Sequence, residues 1–286
     1  MRLAQLVLAM ALLSAPSAAL RLPSGFPARS RAPRMEASPL PADEVVAVVL
    51  LAGGSGSRMK ADRPKQFLEL RGKPVLEHSI ELLLGVQQMT ALVLVIAEEF
   101  RSLDFVAAAA ERDSRIKFAD PGKERQDSVS NGLASVPDEC TLVAVHDAAR
   151  PLVTLDAVHT CLADAATHGA AVLAVPMKAT VKEGADGFVV QTLDRSKLWE
   201  IQTPQVMRPQ LLREGFRKVR EEGLQVTDDV SIIEQMGEPV KLTLGEYTNL
   251  KLTTPEDMII AETILRDRGE RRAGGLLGWL RRLLPF

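Results

Sequence analysis

The sequence has few cysteines and few of the larger aromatic residues: its 286 residues include two cysteines, one tyrosine and two tryptophans. The cysteines, Cys140 and Cys161, lack the close spacing of a zinc site, and two thiols are too few for a disulfide framework. We therefore expect both to be buried thiols. A large excess of charge of one sign is also absent, because 35 basic residues oppose 37 acidic ones. This balance gives no indication of a nucleic-acid partner.

Acidic residues are missing from the first 35 positions, which contain five arginines. Arg2 precedes the apolar run Leu3–Leu13, and small residues follow it, which is the layout of a secretory signal. The run is too short and too interrupted to be a stable membrane span. The stretch from Arg21 to Arg34 is rich in Arg, Ser and Pro, as organellar transit peptides are. Residues 1–35 thus resemble the two-part leader of proteins that enter secondary plastids, which implies a plastid location; secretion with a disordered spacer is the alternative.

From residue 36 onward, the composition is that of a globular protein, and we expect a single domain over residues 36–268. Short apolar runs alternate with longer helical patterns, an order that predicts right-handed βαβ units. We therefore expect an α/β fold with a Rossmann-like, mostly parallel twisted sheet flanked by helices. Ligands on such a sheet bind at the carboxyl ends of its strands. The predicted strands are Val45–Leu51, Ala91–Ala97, Thr141–Val145, Ala170–Val175 and Val240–Leu244, and the predicted helices are Val75–Leu84, Ser102–Arg112, Gln126–Ser135, Leu155–Thr167, Pro209–Glu222, Ser231–Met236 and Glu256–Arg266.

Two further β-rich stretches, Ala179–Glu183 and Phe188–Leu193, flank the turn sequence Gly-Ala-Asp-Gly at 184–187. This pattern predicts a β-hairpin. A hairpin inserted into a parallel α/β unit usually projects from it. We expect an arm over about residues 178–200 that serves as a dimer contact.

The last stretch, residues 269–286, combines leucines and a tryptophan with Arg281 and Arg282. At helical spacing this is a basic amphipathic tail. Such a segment touches a membrane or a partner, or it packs on its own domain, and the sequence leaves these alternatives open. It does not predict a stable membrane span.

A glycine-rich loop at residues 51–59 follows the first predicted strand. Glycines let the backbone approach phosphate oxygens and point N–H groups at them. Arg58 and Lys65 follow closely and are able to stabilise the charge that develops as pyrophosphate leaves. The loop is not a dinucleotide fingerprint, because Met59 stands at the third glycine position, and it lacks the Gly-Lys-Ser/Thr ending of a Walker loop. A surface turn with unrelated cations is the alternative.

Several motifs stand in order along the chain and together carry a specific resemblance. They are Leu-Ala-Gly-Gly-x-Gly-x-Arg-Met at 51–59, Pro-Lys-Gln at 64–66, Asp-Ser-Val at 127–129, His-Asp-Ala-Ala-Arg-Pro at 146–151, Thr-Pro-Gln at 203–205, Thr-Asp-Asp at 227–229 and Asn-Leu-Lys at 249–251. From about Val45 to Arg266, the chain resembles the sugar-phosphate nucleotidyltransferases and, within them, the 2-C-methyl-D-erythritol 4-phosphate cytidylyltransferases. The resemblance implies transfer of a cytidylyl group from CTP to 2-C-methyl-D-erythritol 4-phosphate, with release of pyrophosphate, in non-mevalonate isoprenoid synthesis.

The same resemblance implies roles for individual residues. It implies catalytic roles for Arg58, Lys65, Arg195 and Lys251. It implies nucleotide binding by Ala52, Gly53, Gly54, Gly56, Arg58, Lys65, Gly122, Ser128, Asp147 and Ala148. It implies binding of the acceptor by Arg150, Thr180, Arg195, Thr203, Thr227, Asp228 and Lys251, with Thr180 and Arg195 reaching the partner's site in a homodimer. Mg²⁺ or another divalent cation is implied as the cofactor, held by Asp147 or through the substrate phosphates.

Several alternatives stay open at this point. A pentitol phosphate such as ribitol 5-phosphate is the alternative acceptor, and a nucleotide-binding regulator without catalysis is the alternative function. Asp147 and Arg150 are alternatively a structural ion pair, and Thr227 is alternatively a helix N-cap. Pro121 stands where the family pattern leads us to expect a second glycine, so the sequence leaves the backbone path of this loop and its base selectivity open.

Overall fold

The computed structural model describes residues 39–54, 59 and 63–283; the predicted leader and the loop residues Gly56 and Arg58 lie outside the described residues. The strands are β1 (Val46–Leu51), β2 (Glu69–Leu70), β3 (Lys73–Pro74), β4 (Met89–Val95), β5 (Ile116–Ala119), β6 (Leu142–Asp147), β7 (Ala170–Pro176), β8 (Lys182–Ala185), β9 (Phe188–Thr192), β10 (Trp199–Met207) and β11 (Lys241–Leu244). The α-helices are α1 (Val75–Leu84), α2 (Asp104–Arg112), α3 (Arg125–Ala134), α4 (Leu155–His168), α5 (Pro209–Glu222), α6 (Asp229–Gln235) and α7 (Pro255–Leu283).

Seven of these strands form one sheet in the order β11-β7-β10-β6-β1-β4-β5. The pairs β1–β4, β1–β6, β4–β5 and β7–β11 are parallel, whereas β10 runs antiparallel to both β6 and β7. The chain leaves β1 towards β4 on one side and later returns to place β6 on the other. This reversal at β1 is the kind of point where α/β sheets bind ligands, at the carboxyl ends of the strands.

The sheet is covered by helices on both faces, because its central strands are apolar on both sides. In β1, Val46, Val48 and Leu50 belong to one core cluster, which includes residues of α1, α2 and α4. The alternate residues Ala47 and Val49 belong to a second cluster with residues of α3, α5 and α6. Successive side chains of a strand point to opposite faces, so a strand buried on both faces reads as a continuous apolar run.

The helices of this fold begin and end at residues with recognisable capping roles. The Thr154 side chain accepts a hydrogen bond from the Ala157 backbone N–H at the start of α4. Helix α5 begins with Pro209 and ends at Glu222, and Gly223 caps it in the left-handed conformation with φ = 63°. The predicted ranges Leu155–Thr167 and Pro209–Glu222 agree with these two helices to within one residue.

Two strands of the sheet escaped the sequence prediction, namely β5 and β10. Strand β5 has four residues and is too short for a clear pattern. Strand β10 carries Gln202, Thr203, Pro204 and Gln205 at positions that are buried, so it does not read as an apolar run. The α/β class and the mostly parallel sheet are confirmed, and the antiparallel β10 at its centre is the main feature that the prediction lacked.

The predicted hairpin is present as β8 and β9, which form a separate two-stranded sheet. Ala185 pairs with Phe188, so Asp186 and Gly187 form the turn, both with positive φ. Every residue of the two strands is exposed, and Phe188 has 79% of its surface accessible. The arm therefore extends away from the core of the described chain.

Helix α7 is longer than the predicted Glu256–Arg266, because it continues without interruption to Leu283. The helix thus runs into the predicted tail at 269–286 as far as Leu283, and the role of that tail stays a prediction. Among the described residues, no helix combines the length and the apolar character that crossing a membrane requires.

Candidate active site

A pocket of about 460 Å³ opens at the carboxyl ends of β1 and β6. Its wall is built from the loop after β1, the turn that holds Lys65, the segment from Gly122 into α3, the turn after β6 and the loop before α7. Nine of the residues singled out in the sequence line it together: Ala52, Gly53, Gly54, Lys65, Gly122, Ser128, Asp147, Ala148 and Lys251. The fold thus brings separate sequence motifs to one place.

The glycine loop at the pocket is held in contact with its neighbours. The Gln66 side chain donates a 2.6 Å hydrogen bond to the Ala52 carbonyl. A Cβ atom at Gly53 would lie 2.5 Å from Cβ of Pro121, so this position requires glycine because the two loops touch. Pro121, which stands where a glycine was expected, therefore packs directly against the glycine loop at Gly53.

Ser128 closes the loop on the other side of the pocket. Its hydroxyl accepts a 3.0 Å hydrogen bond from the Gly122 backbone N–H and donates to the Glu124 carbonyl, 3.2 Å away. Glu124 caps α3. The Ser128 hydroxyl thereby fixes the backbone of the segment that was predicted to contact the base.

The Lys65 side chain contacts the backbone of Leu252, the residue that follows Lys251. The Lys65 ammonium donates a 2.9 Å hydrogen bond to the Leu252 carbonyl, and the Leu252 N–H donates to the Ala149 carbonyl at 2.8 Å. Lys251 is the preceding residue. The loop that holds Lys251 is thus tied both to Lys65 and to the turn after β6.

Asp147 lies among cations at the bottom of the pocket. Its carboxylate is 2.6 Å from the ammonium of Lys251 and 3.2 Å from Nε of Arg125. Burial alone would raise the pKa of this carboxyl, but the Arg125 and Lys251 charges outweigh burial and hold the pKa well below its usual range. Asp147 is therefore ionised and paired. Among the described ion pairs, its partners are these two cations and not Arg150.

Arg125, the first residue of α3, was missed by the sequence analysis. Its guanidinium forms two 2.8 Å hydrogen bonds with the carboxylate of Asp229, while its Nε faces Asp147. Burial raises the pKa of Asp229, and the Arg125 fork opposes that rise. Because 22 and 104 positions separate Arg125 from its two partners, no local spacing could have identified it.

Thr227 and Asp228 line a smaller hollow of about 200 Å³ next to the pocket, and the two cavities share Glu124 and Arg125. The N-cap of α6 is Asp228, whose side chain accepts from the Ser231 N–H, so the alternative that gave this role to Thr227 is wrong. Their predicted contact with the acceptor stays a prediction.

Two other predicted acceptor residues, Thr203 and Arg150, point into the protein. The Arg150 guanidinium donates to the backbone carbonyls of Asn249 and Ile201, at 2.8 and 3.3 Å. The Thr203 hydroxyl is 3.0 Å from Nδ1 of His146. Burial lowers the pKa of His146 to about 4, so its ring is neutral at physiological pH. Neither Thr203 nor Arg150 lines the pocket.

Thr180 and Arg195 stand at the base of the arm, away from the pocket of their own chain. Both are exposed, and Arg195 donates a 3.0 Å hydrogen bond to the Lys178 carbonyl. Their predicted role in a partner's site stays a prediction.

The cysteines take no part in the site. Cys140 and Cys161 are unpaired and buried, as predicted, and burial raises the pKa of both thiols. The described residues contain no group of three or more His, Cys, Asp or Glu side chains that would hold a metal by itself. Asp147 and Glu124 are the carboxylates of the described residues that line the pocket.

Comparisons with known proteins identify relatives over most of the chain. Residues 46–267 match the family described as 2-C-methyl-D-erythritol 4-phosphate cytidylyltransferase. The chain is 50% identical over 224 residues to the chloroplastic enzyme of that name from Oryza sativa, an alignment that covers 78% of this chain and 75% of the relative. The bacterial enzyme from Desulforamulus reducens is 41% identical over 226 residues, with 78% and 97% covered.

Solved structures agree with these sequence relatives. The crystal structure of 4-diphosphocytidyl-2C-methyl-D-erythritol synthase from Anaerococcus prevotii has a TM-score of 0.70 and 29% identity, covering 78% of this chain and 97% of that one. The 2-C-methyl-D-erythritol 4-phosphate cytidylyltransferase from Thermus thermophilus has a TM-score of 0.65 and 29% identity, with 78% and 99% covered.

Proposed function

The chain belongs to the family of 2-C-methyl-D-erythritol 4-phosphate cytidylyltransferases, and we propose that its pocket binds CTP and transfers the cytidylyl group to 2-C-methyl-D-erythritol 4-phosphate. The products are 4-diphosphocytidyl-2-C-methyl-D-erythritol and pyrophosphate. The observation that carries the proposal is the meeting of Lys65, Lys251 and Asp147 with the glycine loop around a single pocket. Two phosphorylated substrates need cations from two sides, and Lys65 and Lys251 supply them.

The reaction is a displacement at phosphorus. An oxygen of the acceptor phosphate attacks the α-phosphorus of CTP, the bond to the oxygen that bridges to the β-phosphorus breaks, and pyrophosphate leaves with that electron pair. No covalent enzyme intermediate is required, in agreement with the buried, high-pKa thiols of Cys140 and Cys161. The protein has to bring two anions together and stabilise the charge that shifts onto the leaving group.

Three residues of the pocket, Lys65, Lys251 and Asp147, have separate tasks in this scheme. Lys65 binds the nucleotide phosphates from the side of the glycine loop. The backbone N–H groups of that loop donate hydrogen bonds to the same phosphates. Lys251 binds the phosphate of the acceptor, and Asp147 holds the Lys251 ammonium at 2.6 Å. Because an ammonium has three donors, Lys251 is able to keep Asp147 and bind phosphate oxygens at the same time.

The pocket residues can supply only a small part of the oxygen ligands that a divalent cation needs. Mg²⁺ is commonly bound by one or two carboxylates and by substrate phosphates, and Asp147 offers one carboxylate at the pocket. When bound, Mg²⁺ would neutralise part of the negative charge of the triphosphate. Both oxygens of Asp147 already face cations, so the phosphates of CTP would provide most of the ligands.

We extend the proposal to the assembly and the location of the enzyme. The exposed apolar residues Phe188, Val189 and Val190 on the arm support a homodimer that buries them, with Thr180 and Arg195 serving the partner's pocket. The acid-free, arginine-containing first 35 residues and the chloroplastic location of the rice relative support import into a plastid.

A pyrophosphate-release assay of the purified protein tests the activity. CTP, UTP, ATP and GTP are each supplied with 2-C-methyl-D-erythritol 4-phosphate or with ribitol 5-phosphate, and we expect turnover with CTP and the methylerythritol acceptor. Preference for ribitol 5-phosphate would indicate a pentitol-phosphate cytidylyltransferase instead. Absence of pyrophosphate release with every pair of substrates would indicate a nucleotide-binding regulator without catalysis.

The variant Lys65→Ala tests whether the activity depends on the pocket. Loss of one such donor lowers turnover by about two orders of magnitude or more. Lys73→Ala is the matched control, because Lys73 forms a partly exposed ion pair with Glu81 and does not line the pocket. Normal turnover in Lys65→Ala would remove Lys65 from the mechanism.

A further inference from the structure

Thr203 does not line the pocket, and its hydroxyl bonds the turn that carries Asp147. Thr203 is 4% exposed and lies on β10, next to β6. Its oxygen accepts a 3.2 Å hydrogen bond from the Asp147 backbone N–H and lies 3.0 Å from Nδ1 of His146. The hydroxyl therefore joins two residues of the motif His-Asp-Ala-Ala-Arg-Pro from the neighbouring strand.

The direction of each hydrogen bond made by His146 and Thr203 can be deduced from the carbonyl oxygen of Arg150, which can only accept. Nε2 of His146 lies 3.2 Å from the Arg150 carbonyl oxygen, which can only accept, so the ring proton is on Nε2. Nδ1 is then an acceptor, and the Thr203 hydroxyl must donate its single hydrogen to it. A free lone pair of the same oxygen accepts the Asp147 N–H. Thr203 consequently has no hydrogen left to donate to a substrate.

This arrangement pins both ends of one turn. The Arg150 N–H donates to the Asp147 carbonyl at 2.9 Å, which closes the turn from Asp147 to Arg150. Thr203 holds the Asp147 end through its N–H, and His146 holds the Arg150 end through its carbonyl. His146 is fully buried, so water does not compete for these bonds.

We propose that His146 and Thr203 are positioning residues, which hold the Asp147–Arg150 turn so that the Asp147 carboxylate and its partner Lys251 face the reacting phosphates correctly. The inference rests on the proposed function and gives Thr203 a role different from the acceptor contact that the sequence resemblance implies. The pair acts as a unit, because each of its two side chains completes the hydrogen bonding of the other.

Steady-state kinetics of Thr203→Val tests the inference, because valine keeps the shape of threonine and removes the hydroxyl. A displaced turn lowers kcat by about 10- to 100-fold, the size expected when reacting groups shift by about 1 Å. KM for both substrates stays within about two-fold, because no substrate contact is lost. Thr203→Ser, which restores the hydroxyl, should recover most of the activity.

Thr243→Val is the matched control for the loss of a buried threonine hydroxyl. Thr243 is 2% exposed, and its hydroxyl bonds Asp164 far along the sheet from the pocket lining. We expect this variant to lose stability comparably and to keep its kcat. The melting temperature and the CTP affinity of both variants separate an unfolded protein from a misplaced turn.

The coupling of the two residues gives a second test, with His146→Gln and the double variant. Removal of either partner breaks the shared hydrogen bond, so Thr203→Val should lower kcat much less in the His146→Gln background than alone. If one single variant folds poorly, the other single variant and Thr203→Ser still test the inference by their kcat and KM. Fully independent, multiplicative effects would overturn the unit that we propose.

The outcomes distinguish this inference from the proposed function. A rise in KM for the acceptor alone in Thr203→Val, with kcat unchanged, would return Thr203 to the acceptor site and overturn the inference. Unchanged kcat and KM would overturn it as well. An inactive wild-type protein that binds CTP would instead contradict the proposed function, and with it the role of the turn in transfer.

Discussion

The ion pair between Arg125 and Asp229 leads to a prediction that connects the site to the stability of the fold. The Asp229 side chain is 1% exposed, and two 2.8 Å hydrogen bonds to the Arg125 guanidinium compensate its charge. Replacing Arg125 by methionine keeps much of the side-chain length and removes the cation. Asp229 then remains buried without its partner.

The size of the effect follows from the burial of Asp229. Breaking a buried ion pair by removing one partner costs about 3–5 kcal/mol of unfolding free energy. Asp147 adds little to this, because Lys251 still pairs with it at 2.6 Å. The loss is a large part of the about 5–15 kcal/mol by which native proteins are stable, so Arg125→Met should fold but unfold at a much lower urea concentration.

The pH dependence separates this explanation from a loss of packing. In Arg125→Met, burial raises the pKa of Asp229 without opposition, so the folded state takes up a proton that the unfolded state does not. The stability of the variant should therefore increase relative to the wild type as the pH falls from about 8 to about 5. In the wild type, Arg125 opposes the rise in the pKa of Asp229, so the gain in stability at low pH is smaller there. The lowered pKa of Asp147 gives stability that is lost as the pH falls below the unfolded value of about 3.9.

Urea unfolding between pH 5 and 8 measures both effects. Arg217→Met is the matched control, since Arg217 forms an exposed ion pair with Glu221 and its loss should cost at most about 0.5 kcal/mol. The double variant Arg125→Met/Asp229→Asn should recover part of the stability, because the unpaired charge is gone. A loss in Arg125→Met no larger than in Arg217→Met, or a loss independent of pH, would refute the reasoning.

Further predictions concern packing, assembly and metal. Gly132→Ala should lower the unfolding free energy by about 1–3 kcal/mol in urea titrations, because its Cβ would lie 2.5 Å from Val49 and 2.9 Å from Val95; an unchanged midpoint would contradict the close packing of α3 on the sheet. Phe188→Asp should yield monomers in sedimentation experiments and reduce turnover without lowering the melting temperature, and an unaltered dimer would show that the arm is not the contact. Chelation by EDTA should stop transfer and Mg²⁺ should restore it, whereas full activity in EDTA would remove the metal from the proposal.

The parts of the fold that could be predicted are those whose residues have a single structural task. Most residues of strands β1, β4, β6 and β7 are buried on both faces of the sheet, so these strands appear as largely apolar runs. Strand β10 is equally central, but it also supports the site. Gln205 donates to Asp228 and accepts from the Asp229 and Val230 N–H groups, and Thr203 bonds His146. The polar side chains that make β10 useful are the ones that conceal it in the sequence.

A similar distinction applies to the residues of the site. Gly53, Lys65 and Lys251 belong to short motifs that can be recognised from a few neighbouring residues. The sheet brings those motifs together at one pocket. Arg125 has no local signal, because its importance arises only when α3 and α6 place it between two carboxylates. The inward direction of Thr203 was equally inaccessible, since a motif identifies a residue but not the side to which its hydroxyl points.

The charge of the protein explains why these fixed contacts matter. The five arginines of residues 1–35 and the net +4 of residues 266–286 leave −11 on residues 36–265, so the overall field of that region repels phosphorylated substrates. Attraction must come from cations held at the pocket. Asp147 offsets part of the positive charge there, but it also keeps Lys251 in place before any substrate arrives. A lysine that is already ordered loses little side-chain entropy when it binds phosphate, so the acidic residue improves the site by fixing its cation.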